Sequence, residues 1–230
     1  MSFSKFALDT ANKLRPVLTK IVPAGLLSAV KAKIVEKNTN SLSSVHIEPF
    51  DKSKYDKGIN LIGNIRGDNG LGQSMRLIAD IIDKSEIPFT INNFFVPPGG
   101  SMTDKSYDYK ITDKASYGVN VIHVNASEFT LCYMEYGNKL WNYRYNIAYW
   151  LWELEEFPEE WLNNINLVDE IWTPAEFISN TLRKYTDKPV TTVPYCVTAP
   201  TDDKYDRKYF NLPEEKFLFL MMFASGSIME

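Results

Sequence analysis

The chain has 230 residues, room for one large domain or two small ones with a proper core. Its 44% hydrophobic content is ordinary for a globular protein, and a net charge of −4 argues against a general nucleic-acid binder. Two cysteines, Cys132 and Cys196, and two histidines, His46 and His123, give neither zinc-site spacing nor a disulfide framework, so no metal is expected and a reducing, intracellular home fits.

Charge is unevenly spread. Residues 1–37 hold seven bases against Asp9 and Glu36, a net of +5 that leaves −9 for the remainder. In this arm Phe3, Phe6, Leu14, Val17, Leu18 and Ile21 recur at helical spacing, and the pattern resumes after Pro23 and Gly25 with Leu26, Leu27, Val30 and Ile34. The spacing predicts two short amphipathic helices with basic polar faces. Two readings stand: an arm lying on an anionic membrane surface, each base adding about 1 kcal/mol close to the lipid, or a helical pair docked on its own protein. The start has no signal-peptide pattern, and no uncharged run reaches the roughly 18 apolar residues of a spanning helix. A cytoplasmic protein is expected, peripheral to the inner membrane face if the first reading of the arm holds.

Residues 38–57 are polar and patternless and read, with the arm, as a segment separate from the core domain at 58–200. A first buried strand is expected from Gly58 to Ile65, then a helix with Leu71, Met75, Ile78 and Ile82 on one face. Pro88 to Phe95 predicts a second strand, and the polar stretch to Ser116 a long loop. Val119 to Val124 is the third strand, Glu128 to Tyr136 a short helix, and Asn146 to Trp152 a fourth strand, apolar as doubly covered parallel strands are. Pro158 opens a helix through Leu162, and Glu170 to Trp172 is a fifth strand. Thr173 as N-cap, Pro174 at the first helical position and Glu176 closing a capping box announce the next helix. Val190 to Val193 is the sixth strand. Alternation at this pitch predicts an α/β fold, a Rossmann-like, doubly wound parallel sheet. Residues 201–230 read as a linker followed by a buried strand, Phe217 to Phe223, the first of a further domain.

Chemistry is expected first at Gly67-Asp68-Asn69-Gly70-Leu71-Gly72-Gln73-Ser74, a glycine turn between strand and helix where positive φ, close ligand approach and unpaired helix-start N–H groups suit an anionic or hydroxyl-rich ligand. The bland alternative is a loop that merely packs strand against helix. A dinucleotide fingerprint fits poorly, because the glycine order is reversed and Asn92 and Asn93 stand where the ribose-binding acid belongs, which leaves a nicotinamide dehydrogenase as a third reading that one cofactor titration would dismiss. An NTPase phosphate loop fails too, since Gln73 and Ser74 follow Gly72 instead of Lys and Ser or Thr. Ligands of open α/β sheets bind outside the strands' carboxyl ends. Those ends offer Arg66 and the Gly70 to Gln73 turn, then His123, Asn125 and Ser127, then Trp152, Glu153, Glu155 and Glu156, then Thr173, and last Tyr195 and Cys196. Such a polar and aromatic rim suits a sugar. His123 reads equally as a satisfied core histidine and the tryptophans as packing, with Trp152 the best exception.

Five blocks carry a resemblance: Ile62 to Leu77 (IGNIRGDNGLGQSMRL), Val121 to Ala126 (VIHVNA), Ala148 to Trp161 (AYWLWELEEFPEEW), Asp169 to Leu182 (DEIWTPAEFISNTL) and Pro189 to Val197 (PVTTVPYCV). Together they resemble the N-terminal half of family-4 retaining glycosyltransferases of the GT-B architecture. The resemblance implies two facing Rossmann-like domains, a nucleotide-sugar donor as substrate without a metal or other cofactor, and a glycan or lipid-linked acceptor. It places Gly70, Leu71, Gly72 and Gln73 against donor phosphates and acceptor, and the strand ends add Arg66 and Asn125 as expected binding residues beside them. Where the family often has a histidine touching the transferred sugar this chain has Leu151, Trp152 and Glu153, and Glu153, beside Trp152, takes that place. With the donor domain belonging to the other half, the chain is expected to bind a nucleotide sugar weakly and turn over undetectably. The alternative is a non-catalytic binding module, or half of a split enzyme completed by a second chain.

Overall fold

Strand β1 (Asp56–Gly63) alternates residues between two buried faces, Leu61 to one and Ile62 to the other, and neither has measurable exposure. This comes from a computed structural model describing residues 33, 42, 45–96, 100–198 and 202–221. The two helices expected in the arm lie outside the described residues. The chain divides into two compact units, Met1–Cys196 and Val197–Glu230.

Among the described residues, the first unit is built on β1 together with β2 (Phe89–Asn93), β3 (Tyr117–His123), β4 (Tyr145–Tyr149), β5 (Glu170–Thr173) and β6 (Val190–Thr192). All pairings are parallel and the order is β2-β1-β3-β4-β5-β6. The Rossmann-like, all-parallel α/β sheet expected from the alternation is present. Register stacks Ile91, Leu61, Val121 and Ile147 in one row, against which helix α1 (Gly70–Lys84) buries Met75, Ile78 and Ile82. The next row, Ile62, Ile122, Ala148 and Ile171, faces the other way. It is covered by α2 (Ala126–Tyr136), α3 (Asn138–Trp141), a 3₁₀ helix at Glu159–Leu167 and α4 (Glu176–Leu182), through Phe129, Trp141, Ile165 and Ile178. Both faces are therefore dry, which is why these strands read as nearly continuous apolar runs.

Several expectations are corrected. Strand β1 ends at Gly63, where Ile65 already turns away and donates its N–H to Asn93 Oδ1 (3.1 Å). The helix expected from Pro158 is a 3₁₀ helix that runs on to Leu167. No capping box forms: α4 starts only at Glu176, Thr173 donates to the Ala175 carbonyl (3.0 Å), and Glu176 instead accepts from Arg183 and Thr192. The residues before β1 are not a free linker, since Leu42 is buried in the core, Val45 and Ile47 pack on it, and the Phe50 ring meets Tyr145 edge-on at 5.9 Å. The long loop before β3 carries a 3₁₀ turn at Asp108–Lys110 and a parallel bridge from Ile111 to Ile91.

In the second unit, residues 202–221 form turns in which the Tyr205, Tyr209 and Phe210 rings cluster within 6.2 Å of one another. Arg207 donates to the carbonyls of Pro213, Glu214 and Lys216. Phe217 to Met221 has no strand partner and is exposed, Phe217 by 82% and Phe219 by 92%. The buried strand expected there is not formed among the described residues, because no neighbouring strand accepts its backbone groups.

Candidate functional site

Strand order reverses at β1, which has β2 on one side and β3 on the other. Such a reversal opens a crevice at the carboxyl ends of the two diverging strands, the place where α/β sheets bind ligands. Here the crevice holds a cavity of about 300 Å³.

The glycine turn forms one wall. Gly63 leaves β1 with φ of 153°, and a Cβ there would stand 2.5 Å from the His123 carbonyl oxygen, so only glycine lets the two strand ends come this close. Asn69 caps α1: its Oδ1 accepts from Gly72 N (2.9 Å) and its carbonyl from Gln73 N (2.9 Å). The N–H groups of Gly70 and Leu71 keep no partner among the described residues, as expected at a helix start. Positive φ at the turn is not needed, since none of Gly67, Gly70 and Gly72 has it. The requirement at Gly72 is close approach, because a Cβ would sit 2.0 Å from the Gly67 carbonyl oxygen.

The second wall is the exit of β3. His123 is buried, and burial with no acid partner lowers its pKa from 6.5 to about 4. Its Nε2 lies 3.1 Å from Ser74 Oγ and 3.0 Å from the Tyr195 hydroxyl, and its ring stacks on Tyr149 at 5.2 Å. The imidazole is thus a neutral strut tying β3 to α1 and to the residues after β6. Asn125 follows, its Oδ1 accepting from Leu151 N (3.3 Å), which leaves both Nδ2 protons uncommitted. The third wall is Phe94, Phe95 and Val96 after β2, and Asn64 and Glu128 complete the polar lining. Asn64 Oδ1 is buried without a hydrogen-bond partner.

Of the residues expected from the sequence, Leu71 and Asn125 line this cavity, and Gly70 and Gly72 frame its turn. Arg66 is held away by Asp108 (2.7 Å), and Gln73 is exposed and accepts from Arg76 (3.2 Å). Trp152 packs against Phe157 and Trp161 and donates its Nε1 to the Glu156 carbonyl (2.6 Å). Glu153 is exposed beside it and does not line the cavity. Sequence reasoning passed over Asn64, Phe94 to Val96 and Glu128, and named Asn69 only as part of the glycine turn. Asn69 carried a signal, an N-cap type immediately before a helical run, and the carboxyl-end rule applied to β2 would have found Phe94 to Val96.

No cluster of metal-ligating side chains occurs among the described residues, and none of their helices is long and apolar enough to cross a membrane. No family model matches the chain, and comparison with curated proteins and with solved structures gives no significant match.

Proposed function

We propose that the first unit is the acceptor-side half of a glycosyltransferase, which moves a hexosyl group from a nucleotide sugar to a glycan or lipid-linked acceptor with retention of configuration. The observation that carries this reading is the meeting of the glycine turn, the β3 exit and the aromatic end of β2 around a polar cavity at the sheet's reversal point. Each of the five resembling blocks contains the carboxyl end of a strand of this same sheet.

In this reading the chain contributes position and fixed dipoles more than acid–base chemistry. The Gly70 and Leu71 N–H groups, at the positive end of a 15-residue helix, face the charge that develops on the leaving phosphate. Asn125 orients the acceptor hydroxyl through Nδ2. Glu153 contacts the transferred sugar and Trp152 backs it. Uridine- and guanosine-diphosphate sugars titrated into the chain are expected to move the amide resonances of Gly70 to Gln73 and of Asn125, while released nucleoside diphosphate stays at background. Shifts confined to other surfaces, or none with any donor, would overturn the proposal. Robust transfer by the chain alone would overturn the assignment to half a site.

A second reading, a partner module completed by another chain, is favoured by the unpaired apolar run Phe217 to Met221. Co-purification with a distinct Rossmann-like chain supports it, and a monodisperse lone chain from its native source argues against it.

A further inference from the structure

We infer that Asn69-Gly70 is a self-modifying site, at which the folded chain converts Asn69 to aspartate and isoaspartate without enzyme or cofactor. The reactants are the side-chain amide of Asn69, the peptide nitrogen of Gly70 and water. Only the glycine turn is needed for this, whether or not the transferase reading holds.

The reaction is an internal amide displacement. Gly70 N gives its proton to a solvent base and attacks Cγ of Asn69. The new N–Cγ bond closes a cyclic imide as the Cγ–Nδ2 bond breaks, and Nδ2 leaves as ammonia, taking up a proton from solvent. Water then opens the imide. Addition at Cγ leaves an aspartate, and addition at the former main-chain carbonyl leaves an isoaspartate, whose backbone runs through the side-chain carbons. The sum is amide plus water to carboxylate plus ammonium, with no oxidant or reductant.

Three features select this pair. Asn69-Gly70 is the one Asn-Gly pair in the chain, both residues are exposed, and a Cβ at Gly70 would meet nothing within 4 Å, so the attacking nitrogen is open to water and screened by no side chain. Gly70 N is also the first nitrogen of α1 and has no hydrogen-bond acceptor among the described residues. The nitrogens that follow four other asparagines are tied down: Ile65 N donates to Asn93 Oδ1 (3.1 Å), Phe94 N to the Gly63 carbonyl (2.9 Å), Tyr143 N to that of Glu48 (3.0 Å) and Leu212 N to that of Arg207 (2.8 Å). Asn64, Asn93, Asn142 and Asn211 are thereby shielded. Finally, the positive end of the 15-residue helix α1 favours the two anions that form, the deprotonated nitrogen and the product carboxylate.

The cap sets the pace. Asn69 holds Gly72 N through Oδ1 and Gln73 N through its carbonyl, 2.9 Å each, and its ψ of 177° must turn before Gly70 N reaches Cγ. Attack therefore occurs as the first turn of α1 frays, and helix ends open more readily than their centres. An aspartate resumes the cap. An isoaspartate lengthens the backbone between the capping oxygen and Gly72, and so loosens this wall of the cavity.

The test is peptide mapping by mass spectrometry of the full chain, incubated folded and in guanidinium chloride at about pH 6, 7 and 8. Among these five asparagines the folded chain is expected to convert chiefly at Asn69, at a rate rising roughly tenfold per pH unit because the attacking nitrogen is deprotonated. Unfolding should speed Asn69 by less than about tenfold and each shielded asparagine by more. Gly70→Ala, with an unchanged melting temperature, should slow conversion at Asn69 by about tenfold or more. No conversion at Asn69 in the folded chain, an acceleration on unfolding as large as that of the shielded asparagines, or an undiminished rate in Gly70→Ala would each overturn the inference.

Discussion

Three asparagines occupy matching positions on adjacent strands, Asn60 on β1, Asn120 on β3 and Asn146 on β4, all nearly without exposure. They bond side chain to side chain across the sheet, Asn60 Nδ2 to Asn120 Oδ1 (2.9 Å) and Asn120 Nδ2 to Asn146 Oδ1 (2.8 Å). Their remaining donors reach backbone carbonyls of Tyr117, Leu140 and Trp141. Removing the middle member leaves two buried partners unmet, each costing about 1–3 kcal/mol. Asn120→Leu is therefore expected to lower the urea midpoint by the equivalent of 2 kcal/mol or more with an unchanged m-value. His123 contributes a pH dependence of known sign. Its folded pKa, about 4, lies below the unfolded 6.5, so the unfolded chain binds more protons between those values and stability rises with pH there. The contribution is complete above about pH 6.5, falls as pH drops towards 4, and amounts to on the order of 3 kcal/mol. Thermal melts between pH 4 and 7 should show this slope in the native chain and a flatter one in His123→Gln.

At the scale of elements, the glycine turn separates two kinds of glycine that look alike in sequence. A Cβ at Gly72 would stand 2.0 Å from the Gly67 carbonyl, whereas one at Gly70 meets nothing within 4 Å. Gly72→Ala should cost about 1–3 kcal/mol by forcing the backbone apart, and Gly70→Ala should be neutral or stabilising by up to about 1 kcal/mol. Equal stability of the two variants in urea would contradict the packing described. The loop before β3 is strapped to this turn: Asp68 N donates to the Ser101 carbonyl (3.0 Å), the Thr103 N–H and hydroxyl donate to the Asp68 carboxylate, and hydrogen bonds from the Ser101 side chain first and from Thr103 next hold its pKa low. Asp68→Ala should release the strap and speed tryptic cleavage after Lys105, with Tm almost unchanged. The capping box at Thr173 shows the limit of local motifs. Its residues have the right types, but Ser179 (2.7 Å) and, for Glu176, Thr192 outcompete the local pairing.

For the whole molecule, one surface stands out in composition. Phe217, Phe219, Leu220 and Met221 are each more than four-fifths exposed. Contiguous exposed apolar groups of this size bind partners or drive self-association. Replacing Phe217, Phe219 and Leu220 together by Ser should lower dye binding to apolar surface and concentration-dependent light scattering while the first unit's Tm stays put. A fall in Tm would show that the run is packed on something.

Strand number, parallel class and the alternation with helices were legible in the chain alone, because doubly covered strands must be apolar on both faces and α1 must repeat its apolar residues every three or four positions. The glycine turn, Leu71 and Asn125 were legible for the same reason, since ligand contacts in such sheets fall at strand ends. The tertiary structure alone decided the strand order that puts β1 at the reversal, the asparagine ladder, and the cavity walls from Asn64, Phe94 to Val96 and Glu128. It also decided that Arg66 and Trp152 are spent on Asp108 and on the Phe157–Trp161 cluster. Periodicity is a property of one segment and its own faces, whereas order, register and the partner a polar group finds depend on segments far apart in the chain.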